Sequence, residues 1–336
     1  PSDKQAGLYF GSPSENYYHG TIAFDEANER LVFEVDSVKK LIVDANSRIS
    51  LSNNDLGTSN TIFGKNAGNN AVSGSIQNVF IGESTAGSGT RHADADGNTA
   101  VGYNSLTNLT QGAYNTMIGR ESGVAITEGD SNVAIGSGAL TTATTASSMV
   151  AIGGGSLYSA SAGQTTTNGT VAVGINALNA LTSGAGNTVI GYQSGDALTT
   201  SGYNTVVGYQ ALTTEDVGTH STAIGYQALH SQNTASAGVA GNTAVGLESG
   251  YHNVTGVNNT YLGYKSGTGA SGESNSNNVA VGQSSLLAIT TGSQNVSIGS
   301  AAMQACTTSA NNVGIGFLAL DAITTQAGGN VAVGSQ

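Results

Sequence analysis

Asn98-Thr99-Ala100-Val101-Gly102-Tyr103-Asn104-Ser105-Leu106 is followed, seventeen residues further on, by Asn115-Thr116-Met117-Ile118-Gly119-Arg120-Glu121-Ser122-Gly123, and then by Asn132-Val133-Ala134-Ile135-Gly136-Ser137-Gly138-Ala139-Leu140. The shared pattern is Asn, then Thr or Val, a small apolar residue, a large apolar residue, Gly, two variable residues and a small residue. Followed outward in both directions it runs from Gly64 to Gly334 in sixteen copies, and nine of the fifteen spacings between motif glycines are 17, the others 18 to 21. A fixed period of this length is the signature of stacked supersecondary units, each too small to bury its apolar face alone.

The columns of the repeat carry the physics. Four residues before the motif glycine stands Asn in 13 of 16 copies, with Met149, Thr170 and Ser221 as the departures. The next column is always Thr or Val, and the residue just before the glycine is always large and apolar, from Phe63 to Val333. In an extended segment these two columns share one face and the column between them takes the other. Beyond the glycine, Leu, Met or Gly is usual at the fourth position, and a second short run such as Leu109-Thr110-Gln111-Gly112 can point Leu inward and Thr outward. Each unit therefore reads as strand, turn, strand, turn. The fold class expected is all-β: a parallel β-solenoid, or flattened β-roll, of about sixteen coils, advancing about 4.8 Å per coil into a rod roughly 75 Å long. The Asn column is placed to hydrogen-bond along the stack, and the glycine to make a corner that a Cβ would obstruct.

The middle column is apolar in 14 of 16 copies. Taken with the large residues on the opposite face, it predicts a strand buried on both sides, with the middle column turned outward and covered by another copy of the chain. The expected self-interface is Ala100, Met117, Ala134, Ala151, Ala172, Val189, Val206, Ala223, Ala244 and Ala280.

Composition agrees with a structural rod. Gly is 49 of 336 residues and only 9% are charged, against about 25% charged in ordinary domains. Two prolines exclude collagen, and abundant Val, Ile and Thr argue against disorder. The net charge of -12, with only Lys265 basic after Arg120, argues against nucleic acid as partner. No apolar run is long enough to cross a membrane as a helix. The lone Cys306 excludes an internal disulfide and reads as a buried small hydrophobe. A chain opening on Pro1 reads as a fragment or processed product.

The blocks at 98–106 and at 221–229, Ser-Thr-Ala-Ile-Gly-Tyr-Gln-Ala-Leu, resemble the head repeat of trimeric autotransporter adhesins of the YadA type, and equally the repeats of bacteriophage tail fibres. That resemblance, which covers about 280 residues, implies a left-handed roll, a homotrimer, and attachment to a surface. The adhesin-head repeat is typically shorter than 17.

The first residues differ: positions 1–58 hold 14 of the 30 charged residues and both prolines. They divide the chain into an N-terminal β-hairpin segment, 1–57, and a repeat domain, 58–336. Gly20–Phe24 with Leu31–Val35, and Leu41–Asp44 with Arg48–Leu51, read as hairpins. With Gly7-Leu8-Tyr9-Phe10-Gly11-Ser12 they resemble the small β segment that precedes such repeats in tail fibres. This favours a fibre of the virion, reaching a bacterial host, over an adhesin head at the bacterial surface or a structural extracellular filament without a receptor.

Catalytic chemistry finds no support. His19, His92, His220, His230 and His252 stand apart without metal-ligand spacing. Asp94 and Asp96 offer two carboxylates in one loop, a thin basis for a cation. Glu215 with Asp216, and Glu128 with Asp130, supply acids without a cleft of the kind a glycan hydrolase uses. The expectation is no enzyme, no cofactor and no metal. Two surface features point to a partner. Tyr103, Tyr192, Tyr209, Tyr226 and Tyr264 all follow the motif glycine, where aromatics stack on one another across coils or on sugar rings. Insertions recur every fourth coil, at Arg91–Gly97, Ser161–Gly169 and His230–Gly241, and inserted loops often bind. The candidate contacts there are His92, Asp94, Asp96, Gln164, His230 and Gln232, facing a host glycan, lipopolysaccharide or outer-membrane protein.

Overall fold

The computed structural model describes residues 5–12, 17–25, 30–35, 38–44, 49–51, 60–69, 74–160, 168–234, 238–272, 274–325 and 328–336. They form two sheets and, among the described residues, no helix.

The first sheet is an antiparallel meander of β1 (Gln5–Ser12), β2 (Tyr17–Asp25), β3 (Arg30–Val35), β4 (Val38–Asp44) and β5 (Ile49–Leu51), in chain order. Both expected hairpins are present, with Gly20 opposite Val35 and Phe24 opposite Leu31 in one, and Leu41 opposite Leu51 in the other. They are joined into one sheet by β3 and β4, and β1 adds to the edge with Leu8 opposite Ile22. Alternation decides the faces: the cross-strand pair Ala23 and Val32 is buried, while the next pair, Phe24 and Leu31, is exposed. The expected boundary at Leu56-Gly57 lies outside the described residues.

The second sheet has sixteen strands of three residues each, from β6 (Thr61–Phe63) to β21 (Val331–Val333), one per repeat, parallel and in strict sequence order. Register is exact column on column: Thr99, Ala100 and Val101 pair with Thr116, Met117 and Ile118. This is the expected parallel β-solenoid.

Three local devices close each coil. The motif glycine adopts a backbone that L side chains avoid, φ +137° at Gly119, and a Cβ there would stand 2.5 Å from the carbonyl oxygen of Gly136 on the next coil. Two later corners are left-handed without glycine, as at Asn104 (φ 54°) and Leu106 (φ 53°). A third, at Tyr114 (φ 59°), sets up the next Asn. A left-handed residue costs about 1–2 kcal/mol. Leu106 offsets it by complete burial, a gain of about 1.5–3 kcal/mol for such a side chain.

The Asn column is a buried ladder. Asn98 Oδ1 accepts from the backbone N–H of Asn115 at 3.0 Å and from its Nδ2 at 3.1 Å, and Asn98 Nδ2 donates to Gly112 O at 3.0 Å. Asn115 repeats the arrangement toward Asn132 and Gly129. Every polar atom of the amide is used, which is what makes a fully buried column of Asn tolerable.

The interior corrects one sequence expectation. The middle column, Ala100, Met117, Ala134, Ala151, Ala172, Val189, Val206, Ala223, Ala244 and Ala280, points into its own coil and has no exposed surface. It is core rather than interface, and the strand is buried on one face only. The cause is volume. Where the middle residue is Ala, the fourth residue after the motif glycine is usually Leu, as in Ala100 with Leu106 or Ala172 with Leu178. Where it is large, that fourth residue is usually small: Met117 meets Gly123, Val189 meets Gly195, and Tyr261 meets Gly267, with Val206 and Leu212 as the exception. A Cβ on Gly123 would lie 2.5 Å from Met117 Sδ, and one on Gly250 2.7 Å from the Tyr261 ring. The coil is too narrow for the large flanking residues, so they face outward.

Among the described residues the second run of the coils forms no named strand. It keeps its predicted facing nonetheless: Leu109, Leu181, Ile289 and Cys306 are buried, and Thr110 donates its hydroxyl to Thr127 O, 3.0 Å away on the next coil. Burial pushes the Cys306 thiol up to about 11.

Candidate functional site

The strand geometry creates the most extensive surface feature. With the middle column inside, the Thr/Val column and the large apolar column both face outward along the rod. Ile81, Ile118, Ile135, Ile190, Leu262 and Ile298 are each between 36% and 40% exposed, and Phe63 and Val333 more so. The result is an outward face two side chains wide on all sixteen strands, one column of large apolar residues beside one divided equally between Thr and Val.

The tyrosine row lies beyond the corner glycine. All five of Tyr103, Tyr192, Tyr209, Tyr226 and Tyr264 are exposed. Tyr192, Tyr209 and Tyr226 stack in one pile, centroids 5.3 and 5.4 Å apart and rings within 10° of parallel. Beside them Gln227 donates to Gln210 at 3.0 Å and Gln210 to Gln193 at 3.1 Å. The middle ring therefore spends both faces on its neighbours, and stacking across coils is the use these three rings make of their aromatic faces. Tyr264 carries Lys265 Nζ 5.6 Å over its ring, and Lys265 in turn pairs with Glu248 at 3.2 Å. That pairing raises the Lys265 pKa.

The inserted segments divide three ways. In the first, His92 and Asp94 are exposed, while Asp96 accepts the Ile76 N–H at 2.7 Å and so ties two coils together. Its neighbour Arg91 is buried, donating to Ala86 O and Gly68 O with its guanidinium 5.0 Å over the Phe80 ring. Gln164 lies outside the described residues. In the third, His230 is half-buried and stacks on Tyr251 at 4.7 Å, with His252 edge-on to the same ring. Desolvation, and for His230 also the charge of His252, holds both imidazoles below their ordinary range.

Gln232, expected at the surface, is fully buried. It repairs the Asn ladder. Ser221 has no amide to offer the next coil, so Asn242 Nδ2 donates instead to Gln232 Oε1 at 2.9 Å, while Gln232 Nε2 donates to Ser221 Oγ and to Glu215 Oε2 at 2.8 Å. Glu215 is likewise inside the coil, where its other oxygen accepts from the backbone N–H of Gly218 at 2.7 Å and from the Thr234 hydroxyl at 3.0 Å. Its carboxylate is used up in anchoring the third insertion. Asp130 performs a similar task at the surface, accepting the Ala113 N–H at 2.8 Å. Among the described residues no group of three or more His, Cys, Asp or Glu converges on a common point.

One surface notch was not anticipated. It has a volume of about 480 Å³ and is lined by Arg120, Glu121, Ser137, Tyr158, Asn176 and Asn179, with Gly138 and Gly155 at its base. The signal in the sequence is the run Gly153-Gly154-Gly155, which interrupts the row of side chains after the motif glycine.

The class of protein defined by these features is a parallel β-solenoid with a one-sided apolar face, joined in sequence to a small antiparallel sheet. Comparison with protein families, with curated proteins and with solved structures finds no match to the chain.

Proposed function

We propose that this chain is the rod of a non-enzymatic fibre, of the kind borne on bacteriophage tails, whose copies associate side by side and carry the fibre to a bacterial surface. The observation that carries the reading is the continuous apolar face. All sixteen large side chains of the column are at least partly exposed, eight of them by 36% or more, in one stripe along the rod, where monomers keep contiguous apolar patches to a few hundred Å². A stripe that runs the length of the rod suits other copies of the same rod, because their spacing is identical coil for coil. Association in threes follows the resemblance to adhesin-head and tail-fibre repeats, as does the left-handed sense of the roll. The self-interface moves from the Ala column to the two columns beside it, centred on residues such as Ile118, Ile135 and Ile190.

Sedimentation equilibrium at micromolar concentration tests the association. The expected species is a trimer, and Ile118→Lys with Ile135→Lys is expected to shift it toward monomer while leaving the circular dichroism spectrum unchanged. A stable wild-type monomer overturns the association. Adsorption of the purified protein to bacterial cells tests the attachment role: a rod that assembles normally and adsorbs to no cell is a spacer or filament.

A further inference from the structure

The position after the motif glycine carries a side chain in fifteen of the sixteen copies, and the exception is Gly154. Nothing in the backbone requires glycine there. Its φ lies outside the left-handed region, and the nearest atom to an added Cβ would be Ser137 O at 3.8 Å. The following position is glycine in two successive coils, at Gly138 and Gly155, with φ of +66° and +65°. Other copies hold Asn104, Gln193 and Gln210 at that position with φ between 49° and 54°. A Cβ on Gly138 would make only ordinary contacts, at 3.5 Å or more. Gly138 and Gly154 are therefore surplus to folding, while a Cβ on Gly155 would stand 2.6 Å from Asn176 Oδ1, and the common effect of the three is to remove the ridge of side chains across two coils, about 10 Å of rod.

What surrounds the gap is a set of groups with complementary chemistry. Tyr158 leans into it, 45% exposed, and offers an aromatic face. Arg120 and Glu121, paired at 2.7 Å, bring adjacent donors and acceptors. Asn179 Nδ2 is fixed by Gly155 O at 2.9 Å. Among the described residues no hydrogen bond within the chain engages the Tyr158 hydroxyl, the Ser137 hydroxyl or the Asn176 amide. An aromatic plate beside amide, hydroxyl and ion-pair groups matches the alternating C–H faces and hydroxyl edges of a pyranose ring, and 480 Å³ falls among pockets that take small ligands. The charge of Arg120 is already met by Glu121, and the chain carries a net charge of -12, so an acidic sugar would be opposed.

We infer that this notch binds one or two residues of a neutral oligosaccharide. The inference rests on the surface-attachment reading above and assigns its contact to a site apart from the tyrosine pile and from the apolar face.

The test uses saturation-transfer NMR on the full chain with lactose, maltose, cellobiose and chitobiose, and with glucuronic acid as the acidic probe. At least one neutral disaccharide is expected to receive transfer, with affinity weakened about tenfold by Tyr158→Ala and lost in Gly154→Tyr. Ser300→Tyr, the same kind of change on a distant coil, is expected to leave binding intact. No transfer to any neutral probe, undiminished binding in Gly154→Tyr, or a preference for glucuronic acid that disappears in Arg120→Ala each overturns the inference. Cell adsorption separates the two readings. Adsorption lost in Gly154→Tyr supports the notch, and adsorption retained in that variant overturns it while leaving the attachment role standing. Sugar transfer without adsorption of the wild type keeps the notch as a sugar site and overturns the attachment role.

Discussion

In the coils between Asn98 and Ala146 the seventh residue after the motif glycine is Leu109, Ile126 or Ala143. In the coils between Ser201 and Asn275 the same position holds Glu215, Gln232 and Asn253, and all six side chains are buried. The strand register does not change between the two regions. What changes is how the interior is satisfied. In the first region the column is filled with hydrocarbon and the Asn ladder beside it is unbroken. In the second, the ladder is interrupted at Ser221, and the polar column supplies the missing acceptor through Gln232. The interior of this rod selects for volume and for complete hydrogen bonding, and apolar character is only the commoner way of meeting both demands.

The sharpest way to break that comparison is to exchange the two columns. Leu109→Glu places a carboxylate where Ile126 and Glu128 stand in place of the side-chain donors Gln232 and Thr234 and where the Gly112 N–H is already given to Thr127 O, and is expected to cost about 3–5 kcal/mol, read as a fall in the denaturant midpoint. Glu215→Leu fills the same space but strands the Gly218 N–H, the Gln232 amide and the Thr234 hydroxyl, an expected loss of about 2–3 kcal/mol. If Leu109→Glu is as stable as wild type, hydrogen-bond completeness is not what the column requires.

The next effect concerns volume alone. Tyr261→Ala is expected to lose about 3 kcal/mol through the cavity it leaves, and Gly267→Leu a similar amount through overlap with the Tyr261 ring. The double variant recreates the Ala280 and Leu286 arrangement one coil away, so it is expected to be more stable than either single change. Additive losses in that cycle would mean that the two positions do not share one space.

The smallest effect is on pH dependence in the polar region. His230 and His252 have pKa values lowered by desolvation, so the unfolded chain binds more protons as the medium is acidified. Their contribution is fully present above about pH 6.5 and is lost as pH falls through the lowered values. Both rings are only partly buried, so the expected change in thermal midpoint between pH 7 and pH 5 is slight. His230→Gln is expected to reduce it, while a substitution near Leu109 leaves it unaltered.

The repeat, the coil count, the Asn ladder and both N-terminal hairpins were legible because each is a pattern of residue types at fixed spacing. The direction of the strand faces was not. Alternation separates Thr99 and Val101 from Ala100, but it does not say which set is inside, and the larger residues were given the interior. The information was present in a second pattern, the inverse sizes of Met117 and Gly123 or of Tyr261 and Gly267, which only a shared cavity explains. Gln232 misled for a related reason: a polar residue in an inserted segment reads as surface unless the missing Asn at Ser221 is set beside it. No residue type at fixed spacing announced the notch, whose signal is the missing side chains at Gly138 and Gly154.

The ladder bonds run along the rod while the peptide chain runs around it. Tension applied along the axis is consequently borne by hydrogen bonds acting together, with covalent continuity supplied at only one crossing per coil. A coil that yields releases its seventeen residues, roughly 55 Å of extended chain, before the next is loaded. Such a rod fails in equal steps rather than at once, and under a pull it lengthens manyfold without severing the chain that joins its ends.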